Sequence, residues 1–417
     1  MASTNSIRDI AIIGAGLGGL GAALAIHSQD FDVTIYEQAP SSERFAGAIM
    51  LSPNALRILD TYGVYDRIKA KGHPFTYVDH QDNNGNSVDH QFLGSRDIFS
   101  YDALRIYRNT FRTELETAVR ERGINVKYGK KFSGIVNEDD QSVTCAFADG
   151  TQATSSLLIA ADGIWSKVRS VLFPGAVPVY QGFLVVAGSV HASALTIPKG
   201  IVIDKPISQS SKAGAFLLAP QSASGDELLA GTQHKFPEQD RKGWEKIAAD
   251  RSFQKKFLLE GVEHRSELMQ SAAKGIEEDS IYTWALHKLP LLPKWHSEMG
   301  RVILIGDAAH AIPPTTGQGA NQAFEDGHSL ALLLAKKPTG TTVGEAIDWW
   351  QGMREQRVGK LLDMTRRLNN MRLPEEEQRK LRKEDLWESG EGGAEAMRWL
   401  FEPKIEGVVE KWVASQR

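Results

Sequence analysis

Apolar residues collect in three short, nearly unbroken runs far apart in the chain: Asp9 to Ile13 (DIAII), Leu157 to Ala160 (LLIA) and Arg301 to Ile305 (RVILI). Runs of this length without alternation predict strands buried on both faces, as in a parallel sheet. Each runs into glycine: Gly14, then Asp162-Gly163, then Gly306-Asp307. A further short strand is expected from Asp32 to Tyr36. Other stretches carry helical spacing. In ALRIYRNTFRTELETAVRERG, Leu104, Tyr107, Phe111, Leu115 and Ala118 fall three or four residues apart, which predicts a helix over the stretch, ended by Gly123. ANQAFEDGHSLALLLAKK predicts another. From about Val177 to Tyr282 the pattern changes to short alternating runs separated by Ser, Gly and Lys, read as antiparallel strands, with a helical piece near WEKIAADRSFQKKFLL. The Asn84-Gly85 pair predicts a hairpin that joins this sheet.

The chain has 417 residues, 41% of them hydrophobic and 24% charged, an ordinary globular composition long enough for two domains. A net charge of −4 offers no basic surplus for nucleic acid or an anionic membrane. The single cysteine, Cys145, has no partner for an internal disulfide, which fits a reducing compartment. MASTNSIRD carries no apolar leader, and a soluble cytoplasmic protein, monomer or homodimer, is expected without membrane contact. The C-terminal EAMRWLFEPKIEGVVEKWVASQR is amphipathic and is expected to pack as a helix on the body.

The first strand and its glycines carry chemistry. Gly14, Gly16 and Gly19 fit GxGxxG between a strand and a helix. The first allows a tight turn, the second lets backbone approach a pyrophosphate, and the third lets helix pack on strand. Helix N–H groups and the dipole favour that anion. Glu37 ends the second strand, where an acidic residue accepts hydrogen bonds from an adenosine ribose. Farther on, GDAAHAIPPTTGQGANQAFEDG spends two prolines and several glycines on one connection. Gly317 and Gly319 permit a close, irregular turn, and the following helix points its first N–H groups back at it. Asp307, at a strand's carboxyl end, is placed to bind a polyol.

GxGxxG with Glu37, then IYRNTF, IAADGIWSKVR and LIGDAAHAIPPTTGQGANQAFED, occur in that order. The set resembles the single-component FAD-dependent aromatic hydroxylases, typified by p-hydroxybenzoate and salicylate hydroxylases, and is closest in texture to fungal salicylate-hydroxylase-like monooxygenases of secondary metabolism. The resemblance covers about residues 7 to 365.

It implies an α/β fold: a Rossmann-like FAD-binding domain with an inserted, mostly antiparallel substrate domain and a C-terminal helical segment. The expected boundaries are 1–75, 100–176 and 283–365 for the FAD-binding domain, 76–99 and 177–282 for the substrate domain, and 366–417 for the helical segment. It implies non-covalent FAD, NADPH or NADH as a transient reductant, and O2. Oxygen transfer through a flavin C4a-hydroperoxide would hydroxylate or epoxidise an aromatic or other electron-rich small molecule.

By resemblance, Glu37 holds the ribose, Arg44 and the backbone near Ala48 lie beside the flavin, and Arg108 contacts FAD. Asp162 serves FAD and the passing NAD(P)H, Asp307 binds the ribityl or pyrophosphate part, and Gly319 and Ala320 lie near the ring. Many relatives carry Trp-Arg where this chain has Ala187-Gly188, and Tyr-Pro where it has Ala219-Pro220. These departures favour a larger, more apolar or alkaloid-like aromatic substrate over a small benzoate. No catalytic base is identified; His191, His234 and His287 are candidates by residue type alone. A same-fold flavoenzyme that does not hydroxylate (an oxidase, reductase or halogenase) and a non-catalytic FAD-binding protein remain as alternatives, although the halogenase Trp-x-Trp-x-Ile-Pro signature is absent.

Overall fold

A computed structural model describes residues 7–40, 47–212, 214–371, 373, 375–388, 390 and 392–416. The three apolar runs become Asp9–Ile13, Leu157–Ala160 and Val302–Leu304, and they lie side by side. With Asp32–Tyr36 and Asn125–Lys127 they form a five-stranded, wholly parallel sheet in the order Val302, Leu157, Asp9, Asp32, Asn125 by first residue. The Leu157–Ala160 and Val302–Leu304 strands are buried throughout, which is why their sequences do not alternate. Helix Leu17–His27 packs against the long helix Gly319–Lys336, so elements from opposite ends of the chain share one core. Leu330 and Leu333 are fully buried there; each such side chain contributes about 1.5–3 kcal/mol.

A seven-stranded sheet is built from Tyr77–Gln81, Ser87–Phe92, Val179–His191, Ile207–Ser211, Gly214–Pro220, Glu227–Lys235 and Tyr282–Lys288. It is antiparallel except for one parallel pair, Ile207–Ser211 with Tyr77–Gln81. The Asn84-Gly85 hairpin does join it. One face carries Leu184, Val186, Phe216 and Leu218 and packs on the helices Arg251–Leu259 and Glu267–Lys274, forming a second core. The strand Tyr282–Lys288 belongs to this sheet, and the helix Val343–Asn370 runs without a break through position 366.

Ala103–Tyr107 is a strand, not the start of a helix; the helix is Arg108–Glu121. The strand is the centre of a three-stranded sheet, between Ala48–Leu51 and His73–Phe75. Leu104 and Ile106 are buried while Arg105 and Tyr107 face the other way, a period of two that overrides the helical spacing. The C-terminal helix Ile405–Ser415 packs as expected, burying Ile405, Val409 and Val413, with Trp412 stacked on Trp349 at 4.6 Å. Among the described residues no helix is long and apolar enough to cross a membrane.

Candidate flavin-binding site

The carboxyl ends of three adjacent parallel strands, Asp9–Ile13, Leu157–Ala160 and Val302–Leu304, lie side by side at one end of the sheet. Gly14 takes φ of 105°, and a Cβ there would stand 2.6 Å from the Ala161 carbonyl. Gly19 is tighter still: its Cβ would lie 2.0 Å from the Gly14 carbonyl, so only glycine lets this helix close on its strand. Gly16, the N-cap of Leu17–His27, faces open space, and no side chain caps that helix. Its first N–H groups are therefore available to an anion. The Glu37 carboxylate accepts from the backbone N–H of Ala15 at 2.7 Å through Oε2 and of Ala39 at 2.9 Å through Oε1. It shapes the glycine loop and keeps lone pairs for a diol.

The next strand end brings Asp162. Its Oδ2 accepts from the N–H groups of Lys167 and Val168, at 2.7 and 3.2 Å, while Oδ1 is buried without a partner among the described residues. Burial raises its pKa, opposed by Ser166 and by those backbone donors. Arg169 ties this loop to the third strand end: its guanidinium donates to the carbonyls of Ala176, Ala308 and Ile164 at 3.0, 3.1 and 2.6 Å.

Asp307 stands at the third end. Its carboxylate is reachable by solvent but is walled by protein. Burial raises its pKa, His310 and Arg108 pull it back, and Asp326 pushes it up. Gly319 lies beside it; a Cβ there would be 3.7 Å from Asp307 Oδ1. Gly319 has no left-handed backbone, unlike Gly317 at φ of 63°, so only Gly317 of the two needs glycine's freedom. The helix Gly319–Lys336 has no side-chain cap and no acidic residue in its first turn. Ala320 follows in that turn, partly packed on the core. Arg108 N donates to the Gly47 carbonyl at 3.1 Å, and its guanidinium is lowered in pKa by burial, with Asp307 and Tyr282 raising it. Ala48 is register-paired with Tyr107, the residue before Arg108. Arg44 lies outside the described residues.

Beneath the cleft runs a polar network that the sequence reading does not reach. Asn321 accepts from Ser52 N at 2.9 Å and donates to the Met50 carbonyl at 3.1 Å, fixing the Ala48–Leu51 strand to the helix start. Asn54 donates to Glu325 at 2.6 Å. Arg354 pairs with both Glu325 and Asp326 at 2.7 Å, all three fully buried. Arg357 pairs with Glu325 and donates to the carbonyls of Trp399 and Leu400. Polar residues at helix positions 321, 322, 325 and 326, amid an apolar helix, with Arg354 and Arg357 three apart, were the available signal.

The histidine candidates lie elsewhere. His191 bonds Ser193 at an exposed turn, His234 packs on Phe257 with its pKa lowered by burial, and His287 bonds the Ala285 carbonyl beside Trp165. Two surface recesses, one of 380 Å³ at Gly182 and Phe236 and one of 270 Å³ at Asp9 and Asn125, touch neither Asp307, Arg108 nor Asp162. No cluster able to hold a metal ion occurs among the described residues.

Open space at Gly16 and two uncapped helix starts fit an elongated anionic dinucleotide, and the Asp162 oxygen without a partner among the described residues fits a donor group on it. Comparison with known proteins agrees. Residues 8–365 match the family described as FAD binding domain, and the chain belongs to that family. It is 30% identical over 363 residues to 6-hydroxynicotinate 3-monooxygenase of Pseudomonas fluorescens, covering 84% of this chain and 89% of that one. It is 25% identical to 6-methylsalicylate 1-monooxygenase of Aspergillus terreus, covering 86% and 81%. Among solved structures, a point variant of HpxO of Klebsiella pneumoniae complexed with FAD superposes with a TM-score of 0.75 at 23% identity, covering 98% of both chains. The resemblance to FAD-dependent aromatic hydroxylases holds, and the chain is an FAD-dependent monooxygenase.

Proposed function

We propose that this monooxygenase takes its electrons from NADPH or NADH as a transient visitor and hydroxylates an aromatic small molecule between the three-stranded and seven-stranded sheets. The observation that carries this reading is the closeness of Arg108 to Asp307 and to Tyr282 of the seven-stranded sheet, with the uncapped start of Gly319–Lys336 beside Asp307. Relatives named for oxidising 6-hydroxynicotinate and 6-methylsalicylate support an aromatic substrate.

FAD, when bound, supplies electron transfer and oxygen activation. In this reading Gly14, Gly16 and Gly19 admit the pyrophosphate, Glu37 takes the ribose and Asp307 the ribityl or pyrophosphate part. Arg108 and the Ala48 backbone border the ring, and the N–H groups at Gly319 and Ala320 stabilise negative charge there. Asp162 holds its loop against the cofactor and the visiting nicotinamide. The seven-stranded sheet keeps water from the reacting carbon, and its other face is rigid because a full core backs it.

The test is oxidation of NADPH and NADH under ¹⁸O2 with a panel of aromatic acids and phenols. One labelled oxygen in the product is expected. Nicotinamide oxidation that yields only hydrogen peroxide with every panel member would favour the non-hydroxylating alternative. A flavin-loaded protein that oxidises neither nicotinamide would favour the binding protein.

A further inference from the structure

Arg105 occupies the middle of the three-stranded sheet, register-paired with Met50 on one side and His73 on the other. It shares with Tyr107 the face turned away from the core residues Leu104 and Ile106. That face meets the seven-stranded sheet at several points. Tyr107 Oη donates to Glu227. Tyr282 Oη would lie 3.2 Å from a Cβ on Gly47, beside the strand that pairs with Arg105's own. His73 Nε2 is 2.9 Å from the carbonyl oxygen of Asp204, in the loop that leads into the sheet strand Ile207–Ser211. Arg105 thus lies between the sheets, partly exposed, where the substrate is placed above.

Its guanidinium has no counter-charge among the described residues. Nε is buried without a hydrogen-bond partner there. The groups near enough to act on it are Tyr282 and Tyr107, both phenols whose pKa is raised, chiefly by burial. Arginine does not shed its proton, and a buried Nε–H without an acceptor is costly. Among the buried arginines, Arg354 is answered by two carboxylates and Arg169 by three carbonyls, while Arg265 donates to the Gly214 carbonyl with its Nε unpartnered among the described residues.

We propose that Arg105 is the anchor for a carboxylate on the aromatic substrate, its planar fork meeting the anion and setting which ring carbon faces the flavin. This rests on the hydroxylase reading above and adds to it the residue that would hold an acid group of the kind the relatives' named substrates carry. It runs against the apolar substrate expected from Ala187-Gly188 and Ala219-Pro220: the polar handle comes from the opposite wall of the cleft. Charge-assisted, bidentate pairing of this kind is worth on the order of ten- to a hundredfold in affinity.

The experiment uses FAD-loaded wild type, Arg105→Gln and Arg105→Lys at pH 7. Binding of salicylate and 1-hydroxy-2-naphthoate, each against its neutral primary amide, is followed by flavin absorbance and by calorimetry. Wild type is expected to prefer at least one acid to its amide by about tenfold or more. Arg105→Gln is expected to erase that preference by weakening the acid and sparing the amide, with FAD affinity unchanged; Arg105→Lys keeps part of it. A wild type without the preference, or an Arg105→Gln protein that retains it, overturns the assignment. So does loss of FAD in place of loss of the acid, which would make Arg105 a cofactor residue. The labelled-oxygen assay separates this from the hydroxylase reading: an acid preference that depends on Arg105 without labelled product counts against hydroxylation alone.

Discussion

The imidazole Nε2 of His310 lies 2.6 Å from Asp326 Oδ2, the same oxygen that accepts the backbone N–H of Gly306 at 2.8 Å. One buried carboxylate thereby holds both ends of the turn that presents Asp307. Its other oxygen is fixed by Arg354 at 2.7 Å. The turn that carries Asp307 is therefore as stable as the ion network under it.

Arg354→Met should be among the most damaging single changes. It leaves Glu325 and Asp326 buried beside each other with fewer cations, a loss of about 3–5 kcal/mol. Urea unfolding of the apoprotein measures this; a change below about 1 kcal/mol would show that water or repacking replaces the arginine.

The same network fixes an acid limit. Burial alone would raise both carboxyls. Arg357 and Arg354 more than offset it for Glu325, and His310 and Arg354 for Asp326, holding each at about 2. Depressed values mean stability that is complete above the unfolded-state pKa near 4 and is lost as pH falls through about 2. Thermal unfolding between pH 5 and pH 2.5 should show wild type losing Tm, and Arg354→Met, already without the cation, losing less. Parallel slopes would contradict this.

Arg169→Met should release the Asp162 loop from the Asp307 turn. Three carbonyls lose their donor, at a cost of about 1–3 kcal/mol. FAD affinity should fall with stability, because two strand ends that line the cleft are no longer tied together. Limited proteolysis between Asp162 and Ala176 reports the loosening; an unchanged cleavage pattern would argue against it.

Gly319→Val should act by filling the cleft in front of Asp307, since the glycine there has ordinary helical backbone and a Cβ is tolerated at 3.7 Å. Crowding at the helix start moves its N–H groups from the flavin edge, so the potential of bound FAD should become more negative and reduction by NAD(P)H slower. A redox titration beside wild type checks this, and equal potentials would make the turn a mere connector.

What can be read from the chain is what is local. The buried strands, GxGxxG with Glu37 and the Asp307 turn each announce themselves within a few dozen residues. Ala103–Tyr107 reads as helix because Leu104, Tyr107 and Phe111 satisfy a helical spacing; Leu104 and Ile106 also satisfy a strand's, and pairing with two neighbouring strands decides it. The Asn54, Glu325 and Arg354 network spans up to 271 positions between bonded residues, and no spacing rule reaches that far. Arg105 falls inside the stretch whose spacing reads as helix; that its Nε has no partner among the described residues emerges only once both sheets are in place.

The most direct measurement is equilibrium binding of FAD, by flavin fluorescence, to wild type and to Asp307→Ala. One FAD per wild-type chain is expected, released by acid because it is held without a covalent bond. The variant, still folded, should bind about ten- to a hundredfold more weakly, as the loss of charge-assisted hydrogen bonds at this strand end requires. A folded Asp307→Ala protein that binds FAD as tightly as wild type would contradict the placement of the cofactor in this cleft.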